Sequence, residues 1–331
     1  MIDITLTGIK PTGLPHIGNY FGAIKPALEQ NSSHQKLFFI ADYHALTTIK
    51  DKDELKKLTH HITAAWLSLG LDPTQCIIYK QSDIPEIFEL NWILSCFTAK
   101  GLLNRAHAYK AFTDDNSKNN KDPDKNINHG LFAYPVLMAA DILLFNASNI
   151  PVGADQKQHV EIARDIAETF NHTYKTSLLT LPEPNIQKQN NIIPGIDGQK
   201  MSKNYNNTIP IFDDEKKLRK RIMQIKTDSL PVEAPKNPES CNLYALCKLF
   251  FNENELHTIQ QHYINGGLGY GTLKQQLFEK MLDTFKDARK TFDDLINTPE
   301  KLHSILEDGA QKAQKIASQN LKKIKETIGV L

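Results

Sequence analysis

The side chains best suited to handling phosphate lie in two short segments far apart in the chain. The first is Pro11-Thr12-Gly13-Leu14-Pro15-His16-Ile17-Gly18-Asn19-Tyr20, and the second is Gly198-Gln199-Lys200-Met201-Ser202-Lys203-Asn204. In the first, Gly13 and Gly18 permit a tight turn and close backbone approach, while His16 and Asn19 sit where a helix N-terminus would point at an anion. An uncharged imidazole and an amide there can donate hydrogen bonds to phosphate oxygens as charge builds on them. The same residues equally describe a helix cap with a surface histidine. In the second segment Lys200 and Lys203 bring two ammonium groups, and Ser202 a hydroxyl, to one short loop. Such a loop can neutralise a departing pyrophosphate, or it can be a solvated basic turn. Taken together and in this order, the two segments read as a split ATP site.

Elements of a particular kind must position them. The apolar run 2–7 reads as a buried strand and 20–28 as a helix; 36–42 and 76–79 are further strand-length apolar runs, separated by helical spacing over 52–71. Strand, helix, strand in succession predicts a parallel sheet with helices on both faces, with ligands beyond the C-terminal strand ends. Residues 86–100 read as a helix. The stretch 113–130, rich in Asp, Asn and Lys, reads as a mobile surface loop. Residues 131–145 form the most apolar helix-length stretch, 150–153 a short strand and 156–170 an amphipathic helix. Past Lys203 the strand signals fade, and 213–226, 243–251, 273–296 and 299–328 all carry helical spacing. The change near 207–213 predicts a catalytic domain over 1–208 and a helical domain over 209–331.

The pairing of His16-Ile17-Gly18-Asn19 with Lys200-Met201-Ser202-Lys203 resembles the two signature motifs of the class I aminoacyl-tRNA synthetases, H-x-G-H (or H-x-G-N) and K-M-S-K-S. Tyr134-Pro135-Val136-Leu137-Met138-Ala139-Ala140-Asp141-Ile142-Leu143-Leu144 and Pro151-Val152-Gly153-Ala154-Asp155-Gln156-Lys157-Gln158-His159 resemble the pocket segments of the tryptophanyl branch of that family. Gly8-Ile9-Lys10-Pro11, His44 in Ala41-Asp42-Tyr43-His44-Ala45, and Thr227-Asp228-Ser229 carry the similarity over essentially the whole chain. The resemblance implies a Rossmann-like catalytic domain and a helical anticodon-binding domain whose last helix is able to pack back on the first. It also implies a homodimer that activates L-tryptophan with ATP and Mg²⁺ and transfers it to tRNA(Trp).

Residue by residue, the resemblance implies catalysis by His16, Asn19, Lys200, Ser202 and Lys203. It assigns ATP to Lys10, Pro11, Thr12, Gly18, Asn19, Gly153, Ala154, Asp155, Ile192, Lys200, Met201, Ser202, Lys203 and Asn204, with 153–155 at the ribose and adenine. Tryptophan falls to Leu6, His44, Tyr134, Met138, Asp141, Ile150, Val152 and Gln156, with Tyr134 and Gln156 at the amino group. Three positions depart from the family pattern: Lys10 stands where glutamine is frequent, Ala154 where an acid is often found, and Asn204 for the last serine. ATP affinity is the property these changes touch.

Physical chemistry supports the pocket segment. Tyr134, Met138 and Asp141 are spaced i, i+4, i+7, so they share one side of a helix that Pro135 is read as helping to start. A lone carboxylate in so apolar a helix needs a donor. An indole N–H arriving along a slot lined by Met138, Ile150 and Val152 would serve, and so would a salt bridge or cap within the protein. Asp155 followed by Gln158 also fits a capping box.

Composition bounds the rest. The 331 residues exceed one ordinary domain, and 40% hydrophobic with 23% charged residues fits a soluble globular protein. Met1-Ile2-Asp3-Ile4 lacks the basic and apolar regions of a signal peptide and no run is long enough to span a membrane, so a cytoplasmic protein is expected. Cys76, Cys96, Cys241 and Cys247 show neither zinc nor iron–sulfur spacing. With a net charge of +1, a nucleic-acid partner must meet a local basic face. The run 216–221 with Lys226 is a candidate for tRNA phosphates or a solvated helix face; the basic stretch 312–325 reads as packing and solubility. The rival readings are a tyrosyl-tRNA synthetase, a non-aminoacylating paralogue that binds tryptophan, and a smaller nucleotidylyltransferase. The tyrosyl family usually carries glutamine at the place of Met138, and a small nucleotidylyltransferase would leave the helical half unexplained.

Overall fold

A computed structural model describes residues 3–29, 34–153, 156–186 and 193–331. Five strands, β1 (Ile4–Ile9), β2 (Gln35–Ile40), β3 (Ile77–Lys80), β4 (Asn149–Val152) and β5 (Glu183–Ile186), pair in the order β3-β2-β1-β4-β5, every pairing parallel. In β2, Leu37, Phe38, Phe39 and Ile40 are all buried, as a strand covered on both faces requires. Successive side chains point to opposite faces. Leu37 and Phe39 therefore enter a core with Leu6, Tyr79 and the helices His129–Leu144 and Lys157–Tyr174. Phe38 and Ile40 enter a second core with Ile9, Trp66 and the helices past Lys203, among them Leu218, Leu243 and Leu277. The protein is thus an α/β fold with a Rossmann-like sheet and a helical C-terminal part.

From β1 the chain winds outward through β2 to β3, then returns to lay β4 on the other flank of β1. The reversal opens a crevice beyond the C-terminal ends of β1 and β4, where open parallel sheets bind their ligands.

The last helix, Pro299–Ile328, has Pro at its first turn and ends at Gly329 with φ 80°, a sequence-encoded start and stop. It runs against β3. At Gly309 the approach is so close that a Cβ would lie 1.7 Å from the Ile78 carbonyl oxygen, so only glycine fits. Asn320 Nδ2 donates to the Leu144 carbonyl at 2.9 Å, and Lys325 pairs with Glu89 at 2.7 Å.

The structure corrects several expectations. Helix His107–Lys118 takes up the first part of the expected loop 113–130, and Asn116 donates to the carbonyls of Pro123 and Lys125, both at 2.9 Å, organising the turn that follows. Pro135 lies inside the helix His129–Leu144 rather than at its start; the N-cap is Asn128, whose Oδ1 accepts from Leu131 N at 2.9 Å. The segment expected as one helix over 20–28 is Ile17–Asn19, a π turn at Tyr20–Ile24 and Lys25–Glu29. The stretch 273–296 is two helices, Tyr270–Thr284 and Lys286–Asn297, meeting at Phe285. Strand β5, with a proline in Glu-Pro-Asn-Ile, carries no strand signal of its own and forms because β4 offers it an edge.

Candidate active site

A cavity of about 490 Å³ opens at the crevice beside β1 and β4. It is lined by Leu6, His44, Tyr134, Met138, Asp141, Ile150, Val152 and Gln156, the full set expected at the amino acid, and also by Phe39, Phe112 and Lys10. The helix His129–Leu144 brings Tyr134, Met138 and Asp141 to one side as their spacing requires. Lys10, expected at ATP, lines this cavity instead, its ammonium donating to Thr47 Oγ1 at 3.2 Å and its pKa lowered by burial.

Asp141 is wholly buried. His44 Nε2–H donates to its Oδ2 at 2.9 Å, and Gln81 Nε2 donates to Oδ1 at 2.8 Å and Oδ2 at 3.0 Å. Burial raises the Asp141 pKa, and the bonds from His44 and Gln81 act against that rise. Among the described residues its partners are thus a histidine and an amide, not a lysine or arginine.

A second cavity, of about 550 Å³, is lined by both signature segments: Thr12, His16, Gly18 and Asn19 from one, Lys200, Met201, Ser202, Lys203 and Asn204 from the other. Lys10 and Thr12, joined by a turn in which Thr12 N donates to the Lys10 carbonyl at 2.9 Å, face one cavity each. His16 is the N-cap of Ile17–Asn19 and forms a capping box: its Nδ1 accepts from Asn19 N at 3.3 Å, and Asn19 Oδ1 accepts from His16 N at 3.2 Å. With Nδ1 accepting, the proton of the neutral ring sits on Nε2. Burial, and then the charge of Lys203, depress the imidazole from 6.5 to about 4, so it is neutral at pH 7. Lys203 Nζ donates to the Thr12 carbonyl at 3.2 Å, which ties the two segments directly; its pKa is lowered by burial.

Pro11 is buried, and neither Pro11 nor Gly153 lines either cavity; Gly153 lies just past β4, its carbonyl accepting from Gln156 N at 2.9 Å. Ala154, Asp155 and Ile192 lie outside the described residues.

A family model described as "tRNA synthetases class I (W and Y)" matches residues 4–286. The chain belongs to the class I tRNA synthetases. A tryptophan–tRNA ligase of Campylobacter jejuni is 48% identical over 325 residues, covering 98% of this synthetase and 99% of the relative. Another, from Pseudomonas aeruginosa, is 46% identical over 329 residues, or 98% of this synthetase and 73% of the relative. Among solved structures, the Campylobacter jejuni tryptophanyl-tRNA synthetase complexed with ADP and tryptophan superposes with a TM-score of 0.92 at 47% identity, covering 98% of this synthetase and 99% of that chain.

Three polar residues of this synthetase are given no role at the site by the sequence reading. Gln81, fully buried just past β3, fixes both Asp141 oxygens while its own Oε1 accepts from His44 N at 3.3 Å. A glutamine at the C-terminal end of a buried strand was the available signal. His159, also buried, links two residues expected at the amino group: its Nδ1 bonds Gln156 Oε1 at 2.9 Å and its Nε2 meets the Tyr134 hydroxyl. Asn207, 1% exposed, braces the second signature segment from behind.

Proposed function

We infer that this synthetase is a tryptophan–tRNA ligase: it activates L-tryptophan with ATP to tryptophanyl-adenylate and pyrophosphate, then transfers the tryptophanyl group to the terminal ribose of tRNA(Trp). The observation that carries the choice of amino acid is the apolar cavity with one buried carboxylate, Asp141, beside a cavity lined by lysines and a neutral histidine. Among the described residues Asp141 Oδ1 accepts only from Gln81, which leaves it capacity for an indole N–H. Met138, Ile150 and Val152 supply the apolar walls. His159 Nδ1 bonds Gln156 Oε1 and its Nε2 meets the Tyr134 hydroxyl, so one buried ring orients both residues expected at the substrate amino group. A tyrosine substrate would place a hydroxyl where Met138 offers no partner.

In activation the tryptophan carboxylate attacks the α-phosphorus in line, a new C–O–P linkage forms, the α–β bridging P–O bond breaks, and pyrophosphate leaves with its electron pair. No side chain needs to be the nucleophile. His16 Nε2–H, Asn19 and the ammonium groups of Lys200 and Lys203 meet the charge that grows on the phosphate oxygens. Mg²⁺ would arrive as part of the MgATP substrate, where it would supply charge neutralisation beside the ammonium groups of Lys200 and Lys203. In the second step a ribose hydroxyl attacks the adenylate carbonyl and AMP departs.

The helical part over 209–331 is the region for the anticodon arm of tRNA, and the assembly is a homodimer. Four free thiols, Cys76, Cys96, Cys241 and Cys247, suit the reducing cytoplasm. Charging of tRNA(Trp) with labelled tryptophan by the purified protein tests the reading. Tryptophan binding without adenylate formation would instead make this chain a tryptophan-binding paralogue.

A further inference from the structure

The loop that carries Lys200 and Lys203 is held by one buried amide. Asn207 Oδ1 accepts from Ser202 N at 2.8 Å, and its Nδ2 donates to the Lys200 carbonyl at 3.1 Å and to Asp197 Oδ1 at 2.8 Å. One side chain thus ties the backbone on both sides of Met201. The side chain is 1% exposed and both of its N–H donors are used, which fixes its orientation: turning the amide over would set its oxygen against a carbonyl and a carboxylate. Gly195 presses on it from behind; a Cβ there would lie 2.3 Å from Asn207 Cγ.

Asn207 is itself clamped from the helix Glu215–Met223. Arg221 Nε donates to the Thr208 carbonyl at 2.8 Å, and Nη2 donates to the Asn206 carbonyl and, at 3.2 Å, to Asn206 Oδ1. Arg221 belongs to the basic run that the sequence offers as a tRNA contact or a solvated face, and its guanidinium turns back onto the chain. It grips the residues on each side of Asn207. The brace therefore runs from Arg221 through Asn207 to the backbone of Lys200 and Ser202.

We propose that Asn207, held by Arg221, is the positioning residue that sets the two ammonium groups of Lys200 and Lys203 against the phosphates during tryptophan activation. Asn207 touches no substrate; it acts through the loop backbone. The inference rests on the tryptophan-activating reading, and the wild-type protein tests that reading first: tryptophan-dependent ATP–pyrophosphate exchange must be present before any variant is compared.

The experiment measures exchange kcat, the KM values of ATP and tryptophan, and equilibrium tryptophan binding for Asn207→Asp, for the swap Asp197→Asn/Asn207→Asp, and for Arg221→Ala. A displacement of about 1 Å at a reacting group costs on the order of 10²-fold, so Asn207→Asp is expected to lose about 10²-fold in kcat with tryptophan binding unchanged. In that variant the new carboxylate faces both the Lys200 carbonyl and Asp197. The swap restores a donor opposite it and recovers part of the loss. Lowering the pH also recovers activity relative to wild type, because a protonated acid at 207 can donate again. Arg221→Ala, which removes a half-buried guanidinium and leaves the buried Leu218 and Ile222 of its helix in place, loses about tenfold in the same step. The proposal is overturned if Asn207→Asp exchanges at the wild-type rate, or if the swap and low pH bring no recovery. It is equally overturned if Arg221→Ala weakens tryptophan binding as much as it slows exchange.

Discussion

The two cavities of the crevice treat charge in opposite ways. In the amino-acid cavity Asp141, the one carboxylate among the described lining residues, is buried and already held by His44 and Gln81, and apolar side chains line the same cavity. In the phosphate cavity Lys200 and Lys203 line the wall with no carboxylate among the described lining residues, and His16 is kept neutral. The first arrangement suits selection, because a buried acceptor already held in place rejects a guest without the matching donor. The second suits rate, because unpaired charge is available for the phosphate oxygens as the bond breaks. Lys203 touches the first signature segment through the Thr12 carbonyl, so the halves of the phosphate cavity are joined.

Perturbing each cavity alone tests whether selection and rate are separable. Lys203→Ala is expected to have the largest effect: ~10²–10³-fold off kcat for ATP–pyrophosphate exchange, with the tryptophan dissociation constant unchanged. Equal losses in exchange and binding would join what this account separates. Asp141→Asn acts on the other cavity and should weaken tryptophan binding by ~10–100-fold, the worth of a hydrogen bond to a charged group, leaving ATP affinity as it was. A parallel fall in ATP affinity, measured by calorimetry, would mean that the two cavities are one coupled unit. Gln81→Met removes the donor behind Asp141 without touching the guest, so a smaller loss in tryptophan affinity, about tenfold, and a lower Tm are expected.

The smallest effect is a pH dependence. His16 takes its proton at about 4 in the folded protein against an ordinary 6.5, so the unfolded chain binds more protons between those values. Its contribution makes stability fall as pH drops through that window, and leaves it level above. His16→Asn keeps an N-cap residue and should flatten that part of the Tm-against-pH curve. An unchanged slope would place the acid sensitivity elsewhere.

Much of this was legible in the residues because local chemistry and global fold agree there. The continuous apolar run of β2, the glycine turn after β1 and the i, i+4, i+7 spacing of Tyr134, Met138 and Asp141 each have one structural solution. What escaped the sequence depends on partners distant in the chain. Gln81 and Asn207 look like ordinary polar loop residues until the fold sets them against Asp141 and the Lys200 carbonyl. β5 exists because β4 offers it an edge. Pro135 misled because proline most often opens a helix, whereas here eight buried residues of the helix outweigh the one backbone hydrogen bond it removes. The helix Glu253–Asn265 was legible and overlooked: Asn252 and Glu255 form a capping box at its start.

The central claim is that the cavity around Asp141 chooses tryptophan. ATP–pyrophosphate exchange by the wild-type protein, run with each standard amino acid in turn, tests it most directly. The account predicts that tryptophan supports exchange and that kcat/KM for tyrosine is lower by ~10⁴ or more. Comparable exchange with tyrosine, or none with tryptophan, would contradict it.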